Sequence, residues 1–374
     1  MVPSGWKHGQ VKDFFLLQRG FDLTREQSTQ GDIPVYSSSG ISYFHNESKV
    51  KGPGIVTGRK GSVGPVYFIE EDFWPHDTTL WVKDFKDNNI KYIKYFLTYL
   101  RLERFDEASS VPTLNRNNVH GIKCVFPPNK EQQKIAHILS TWDKAIEKLE
   151  ALIAAKQKRK EALIQQILTG KKRFAGFEGE WETTRLMNLL KEEKTKNKDC
   201  SVLRVLSVTN HSGFVLPEEQ FSRQVASSDL SNYKIVRKGQ FGYNPSRINV
   251  GSFARLDSYE VGVLSPMYIV FSIDERKLNS DFFLNWMSSH EAKQRIISST
   301  QGSVRDSVGF DALSSFHIKL PAIEEQKKIA SVLSVANTEI TTNRKHLSAL
   351  KEQKKGLMQQ LLTGKKRVKV DSHV

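Results

Sequence analysis

Two cysteines in 374 residues, Cys124 and Cys200, leave room for neither a disulfide framework nor a zinc site built from cysteine pairs. So few thiols in so long a chain suit a reducing compartment, and the cytoplasm is the expected location. Long apolar runs are missing as well. No stretch of 18 apolar residues occurs, so no membrane-spanning helix and no membrane partner are expected. Met1–Phe14 also lacks the apolar core of a signal peptide. The common catalytic signatures are absent in their turn. The Thr-Gly-Lys-Lys-Arg segments lack the earlier glycine of a phosphate loop, and no His-Glu-x-x-His, Cys-x-x-Cys or Gly-x-Ser-x-Gly occurs. Tyr243-Asn244-Pro245-Ser246 only echoes the Asn-Pro-Pro-Tyr tetrapeptide of amino-methyltransferases, and no glycine-rich cofactor turn precedes it. The histidines are scattered; His45, His76 and His211 suit structural or contact roles better than that of a catalytic base. Negative charge is the last shortage: 41 acidic residues face 56 Lys and Arg, a net charge of +15. That excess points to a polyanionic partner, nucleic acid before anionic membrane.

What the chain does have is a repeat. EQQKIAHILS at Glu131–Ser140 returns as EQKKIASVLS at Glu325–Ser334, and ALIQQILTGKKR ending at Arg173 returns as GLMQQLLTGKKR ending at Arg367. Both pairs lie 194 residues apart, and the 43-residue segments align without a gap, with 19 identities. The match extends upstream through Pro127/Pro321 and Leu114/Val308. A weaker one opens each half, where Trp6, Val11 and Phe14 face Trp181, Leu186 and Leu189. Between the shared segments the halves differ almost completely, as two variable inserts in one constant frame.

The frame reads as helix. Neither Pro nor Gly interrupts Glu131–Thr169. Apolar positions step by four and three through Ile135, Leu139, Trp142, Ile146, Leu149, Ile153, Leu163 and Ile167, with Lys156 and Lys160 filling the same register. The second copy runs Ile329, Leu333, Ala336, Ile340, Asn343, Leu347, Leu350, Lys354, Leu357 and Leu361. Each stops at Thr-Gly, at Gly170 and Gly364, with a Lys-Lys-Arg cluster beyond. A helix of this length spans roughly 58 Å. Two such helices are expected to pack on each other, because either alone leaves its seam in water. The polar seam residues Lys160, Asn343 and Lys354 either fix register or snorkel out of an imperfect stretch. The basic residues along each helix suit a solvated face as well as phosphate contact.

The inserts read as compact mixed α/β domains. Strands are expected at Gly54–Thr57, Val66–Ile69, Thr79–Val82, Val202–Val208 and Met267–Ile273, and helices at Ile90–Phe105 and Ser280–Ile297. Each domain sets a polar, basic loop beside a strand. The first carries Arg59, Lys60 and Ser62 in Gly58–Gly64; the second carries Asn244, Ser246 and Arg247, then Asn249. Glycine lets backbone approach a phosphate or base edge, and Arg offers a fork to guanine or phosphate. A second polar loop precedes each frame segment, with Asn115 and Arg116 in the first half and Ser303 and Arg305 in the second. These eleven residues are the candidate DNA contacts; no catalytic or metal-binding residue is expected.

Two divergent domains, each followed by Pro-x-x-x-Glu-Gln-x-x-Ile-Ala-x-x-Leu and a long helix ending Leu-Thr-Gly, resemble the DNA specificity subunit of type I restriction–modification systems. The stretches Gly58–Gly64 and Ser265-Pro266-Met267-Tyr268 resemble elements of its target recognition domains. The resemblance covers nearly the whole chain. It implies an α+β fold: recognition domains at 1–127 and 174–320, separated by a spacer helix at 128–173 and a second within 321–374, which also holds a C-terminal tail; the two helices form an antiparallel coiled coil with pseudo-two-fold symmetry. It also implies a non-catalytic subunit whose two domains each read half of a bipartite duplex DNA target. Two methyltransferase subunits would dock on the frame and bring S-adenosylmethionine, and motor-nuclease subunits would join for cleavage. The alternatives left open are a self-contained DNA methyltransferase or nuclease, and a coiled-coil nucleic-acid-binding scaffold.

Overall fold

Each frame segment folds as one unbroken helix, Asn129–Ile167 of 39 residues and Ile323–Leu362 of 40. The structure, a computed structural model, describes residues 3–106, 110–210, 212–217, 229–300 and 307–370. These fall into two units. One comprises Met1–Ala151 and Arg344–Val374, the other Leu152–Asn343. Each long helix therefore gives one half to each unit, and each globular part packs with a half of both helices.

In the first unit, Lys7–Gln10 pairs antiparallel with Lys123–Phe126 and brings the start of the domain back to the start of the long helix. Four antiparallel strands form the main sheet, in the order Leu16–Arg19, Thr79–Asp84, Gly54–Gly58, Val66–Ile69. A smaller sheet joins Gly40–His45, Ile33–Ser37 and Trp74–Pro75. The helix Ile90–Leu100 buries Tyr92, Ile93, Tyr95, Phe96 and Leu97, and Asn89 caps it by accepting from the Tyr92 N–H at 3.0 Å. Phe126 stacks on Phe14 at 4.2 Å and meets Phe96 edge-on at 4.8 Å, so aromatic packing joins sheet, helix and frame.

The second unit repeats this plan. Glu182–Arg185 pairs with His317–Leu320. The main sheet runs Leu190–Glu192, Ile269–Ile273, Phe241–Tyr243, Phe253–Arg255, again antiparallel throughout. The pairs Ser207–Thr209 with Gly213–Val215, and Lys234–Arg237 with Val261–Leu264, are its own additions. The shared plan within unrelated sequence makes the fold α+β with an internal pseudo-repeat.

Several expected elements are shorter or divided. The run Ile90–Phe105 breaks at Arg101, whose φ of 54° is left-handed; a short 3-10 turn, Leu102–Phe105, follows. The run Ser280–Ile297 becomes helices Ser280–Met287 and His290–Thr300. Ser289 is the reason, since its hydroxyl accepts from the Ala292 N–H and starts a new helix. Of Val202–Val208, only its last two residues lie in the strand Ser207–Thr209. Met267 lies in a turn closed by Tyr268 N–H to the Ser265 carbonyl, and the strand begins at Ile269.

Within each unit the half-helices run antiparallel. Ile135, Leu139, Ile153, Ile167, Ile329, Leu333, Ile340 and Leu361 are buried; Trp142, Ile146, Leu149, Leu163, Leu347, Leu350 and Leu357 are partly buried. Burying one such aliphatic side chain contributes about 1.5–3 kcal/mol. In the first unit, Lys354 is ion-paired with Asp143 on the opposite half-helix, and Tyr95 donates to the same carboxylate at 2.6 Å. In the second, Lys156 meets Glu339 at 2.7 Å.

The shared motifs tie frame to domain in the same way twice. The Glu131 carboxylate is 2% exposed and receives Arg367 through both Nε (3.1 Å) and Nη2 (2.6 Å). Glu325, 1% exposed, receives Arg173 at 3.0 and 2.7 Å. The opening Glu of each copy is thus held by the closing Arg of the other. The adjacent Gln132 accepts from the Asn89 N–H, and Gln326 from the Asn279 N–H, both at 2.9 Å. Asn89 and Asn279 cap equivalent helices, so each frame helix grips its domain at a cap.

Candidate nucleic-acid interface

In both main sheets a loop leaves the third strand of the order given above. In the first unit it follows Gly58, which faces Thr79 on the neighbouring strand; in the second it follows Tyr243, which faces Ile269. Arg59 and Asn244 therefore occupy the same place in the plan, one residue past the strand. Asp77 and Met267 also correspond, each two residues before the neighbouring strand's partner residue.

The first unit brings its two candidate loops together. Leu114 N–H donates to the Arg59 carbonyl at 2.7 Å, and Gly61 N–H to the Pro112 carbonyl at 2.9 Å. Gly61 has a φ of 91°, which glycine adopts without strain. Arg59 is partly buried. Its Nε donates to the Asp77 carbonyl at 2.9 Å, and Nη2 lies 3.8 Å from the Asp77 carboxylate. Lys60 and Ser62 are exposed on the same loop. Asn115 has a local task, accepting from the Asn117 N–H at 3.0 Å to cap the helix Arg116–His120, and Arg116 stands exposed at its first position.

The second unit does the same with other chemistry. Val308 N–H donates to the Pro245 carbonyl at 3.0 Å, and Tyr243 Oη to the Val308 carbonyl at 3.1 Å, so the segment ahead of the second frame helix again meets the strand-end loop. Asn244 accepts from the Ser246 N–H at 3.1 Å and extends Nδ2 to 3.9 Å from the Met267 sulfur. Ser246, Arg247 and Asn249 are exposed, and no ion-pair partner of Arg247 occurs among the described residues. Ser303, Arg305 and His211 lie outside the described residues.

Some residues at these loops escaped composition-based reasoning. Asp77 binds Arg19 Nη2 at 2.9 Å and His76 Nδ1 at 2.9 Å besides facing Arg59, so three separate stretches of the chain, at Arg19, Arg59 and His76-Asp77, meet at one rim of the sheet. Ser38 Oγ accepts from the Ser62 N–H at 3.4 Å. No spacing signal links Arg19, Arg59 and Ser38 to the His76-Asp77 pair; the sheet brings these stretches together. His45 accepts from the Thr29 N–H at 3.1 Å, a structural role. Among the described residues, no group of His, Cys, Asp and Glu is arranged to hold a metal ion, and no helix is long and apolar enough to cross a membrane.

Residues 3–157 and 189–352 match the sequence profile of the type I restriction modification DNA specificity domain, so one profile is met twice over most of the chain. The chain belongs to that family. Among curated relatives, the type I restriction enzyme MjaVIII specificity subunit of Methanocaldococcus jannaschii is 24% identical over 286 residues, covering 70% of this chain and 66% of its own length. The putative MjaX specificity subunit of the same organism is 23% identical, covering 98% of this chain and 95% of its own. A putative specificity subunit of Mycoplasma pneumoniae is matched over 43% of its length at 28% identity. Among solved structures, the type I system S subunit of M. genitalium shares the fold, with a TM-score of 0.64 at 15% identity, covering 96% of each chain. As a member of the specificity family, the chain has one loop-bearing domain and the opening Glu of its frame helix inside each profile match, Glu131 in the first and Glu325 in the second, while Arg173 and Arg367 lie beyond the matches.

Proposed function

We propose that this chain is the DNA-reading, non-catalytic subunit of a type I restriction–modification complex, and that each domain reads one half of a bipartite duplex target. The observation that carries the proposal is the pair of equivalent loops. They leave the same strand of the same sheet plan, each is hydrogen-bonded to the segment ahead of a frame helix, and they present Arg59 and Lys60 in the first and Asn244 and Arg247 in the second, in a chain of net charge +15. A shared frame with divergent loops suits two different short sequences read in one orientation each. Arg59, Lys60, Ser62, Asn115, Arg116, Asn244, Ser246, Arg247 and Asn249 are the proposed contacts, together with Ser303 and Arg305.

Chemistry then belongs to partners. Two methyltransferase subunits supply S-adenosylmethionine and the pocket that receives a flipped adenine, and motor-nuclease subunits add cleavage. The half-helices are the proposed docking frame. In the second unit they line a groove of about 590 Å³ in which Val335 is 60% and Leu152 45% exposed, apolar surface suited to a partner helix. The test is methylation mapping of the genome with the gene intact and disrupted. Loss of adenine methylation at one two-block motif is the expected result. Unchanged methylation, or methyl transfer by the purified chain alone, overturns the proposal.

A further inference from the structure

Resting on that function, the correspondence between the two sheets goes one step further. We infer that positions 59 and 77 in the first domain and 244 and 267 in the second are equivalent base-pair-reading couplets, the first matched to a G·C pair and the second to an A·T pair. In each couplet the residue past the strand reaches toward the residue two places before the neighbouring strand, so the backbone geometry is common while the chemistry differs.

Arg59 spends Nε on the Asp77 carbonyl and keeps Nη2 beside the Asp77 carboxylate. The outer edge of its fork remains, a pair of donors held in place. Two parallel donors match the O6 and N7 acceptors of guanine in the major groove. Asp77 is a positioning residue: its carboxylate, paired with Arg19 and His76, braces the Arg59 fork that reads the guanine, and the cytosine opposite follows by base pairing. Asn244 has one lone pair of Oδ1 taken by the Ser246 N–H and one amide hydrogen turned to sulfur. One acceptor and one donor remain, which match N6 and N7 of adenine. Met267, 61% exposed, offers an apolar surface suited to the methyl group of the thymine opposite. The adenine that is methylated leaves the stack, so the A·T pair assigned here is a neighbour of that base.

The test is binding-site selection from randomised duplexes with the full chain, followed by affinity measurements on the selected target. The wild type is expected to select one block with a fixed G·C pair and one with a fixed, unmethylated A·T pair. Placing 7-deazaguanine or 7-deazaadenine at those positions removes N7, and affinity should fall on the order of tenfold at each. Asn244→Arg with Met267→Asp should convert that A·T pair to G·C and leave the other block unchanged; Arg59→Asn with Asp77→Met should do the reverse. The base-analogue arm leaves the protein intact, so it decides the matter even where a double variant fails to fold. Indifference to both analogues, or a folded swap variant that keeps its target or alters the wrong block, overturns the couplets while leaving DNA reading intact. Absence of any selected sequence overturns DNA reading, and the couplets with it.

Discussion

Arg173 places two nitrogens on the carboxylate of Glu325, 152 residues away and almost wholly buried, with Nη2 at 2.7 Å. A buried carboxylate is costly unless paired and hydrogen-bonded. Arg173→Met is therefore expected to destabilise the chain, because it leaves the charge of Glu325 without its fork, and Glu325→Leu alone leaves Arg173 without its partner. Glu325→Leu combined with Arg173→Met removes both charges, and should cost less than the two single changes added together. Thermal unfolding of the three variants measures the coupling; strictly additive losses would contradict a direct pair.

The same reciprocity bears on a half-length chain. A fragment from Met1 to Gly176 keeps Glu131 and Arg173 but loses Arg367 and the second helix. Its apolar seam then lacks a cover, and another copy supplies both a seam and an Arg173 for Glu131. The fragment should dimerise, and with methyltransferase subunits should modify a symmetric target of one half-site and its inverted repeat. Repulsion involving Lys156 and Lys160 works against that dimer. Sedimentation and sequencing of the modified sites test this; a folded monomer or an asymmetric target would sink it.

Arg59 and Arg247 should behave differently on DNA. Arg59 is held by Asp77, whereas Arg247 is exposed and no ion-pair partner of it occurs among the described residues. Arg59→Ala is expected to lose about 1–3 kcal/mol of discrimination at one base pair. Arg247→Ala should weaken all sequences alike and lower the salt slope of binding by about one. Titrations at several salt concentrations separate the two outcomes, and equal salt slopes would refute the contrast.

His120 makes the first domain sensitive to acid. Its Nε2 accepts from the Leu17 N–H at 2.9 Å, which requires the neutral ring. Burial, with Arg116, Lys12 and Lys86 nearby, lowers its pKa below the usual 6.5. The folded state thus binds fewer protons than the unfolded chain. The contribution is complete above about 6.5 and is lost as pH falls through the depressed value. His120→Gln retains a side-chain acceptor without a titrating ring. The melting temperature of the wild type should fall relative to this variant below about pH 6.5, and a constant difference across that range would refute the bond's role.

The two long helices were legible in sequence because their signal is local. The first has 39 residues, Glu131–Thr169, without Pro or Gly, the second only Gly356 within its span, and both are apolar every three or four residues, which admits one regular structure that hides the stripe. The breaks at Arg101 and Ser289 were not legible, since a left-handed residue and a new hydroxyl cap interrupt runs whose apolar content continues. The loops around Arg59 and Asn244 stood out by composition, yet nothing local distinguished Arg59, braced by Asp77, from Arg247, for which no brace occurs among the described residues.

The sequence by itself determined the duplication, the family, the helical frame and the positive charge, all of which rest on periodicity, identity and counting. Tertiary structure alone decided which Glu meets which Arg, since each bond joins the start of one copy to the end of the other. It also decided that Arg59 shares a rim with Arg19, His76 and Asp77, and that Asn244 faces Met267. Those pairings are set by strand order and register in sheets whose neighbours are far apart in the chain. A hydrogen-bonded ladder brings such residues together through backbone groups common to all residues, so side-chain identity carries little record of who the neighbour will be.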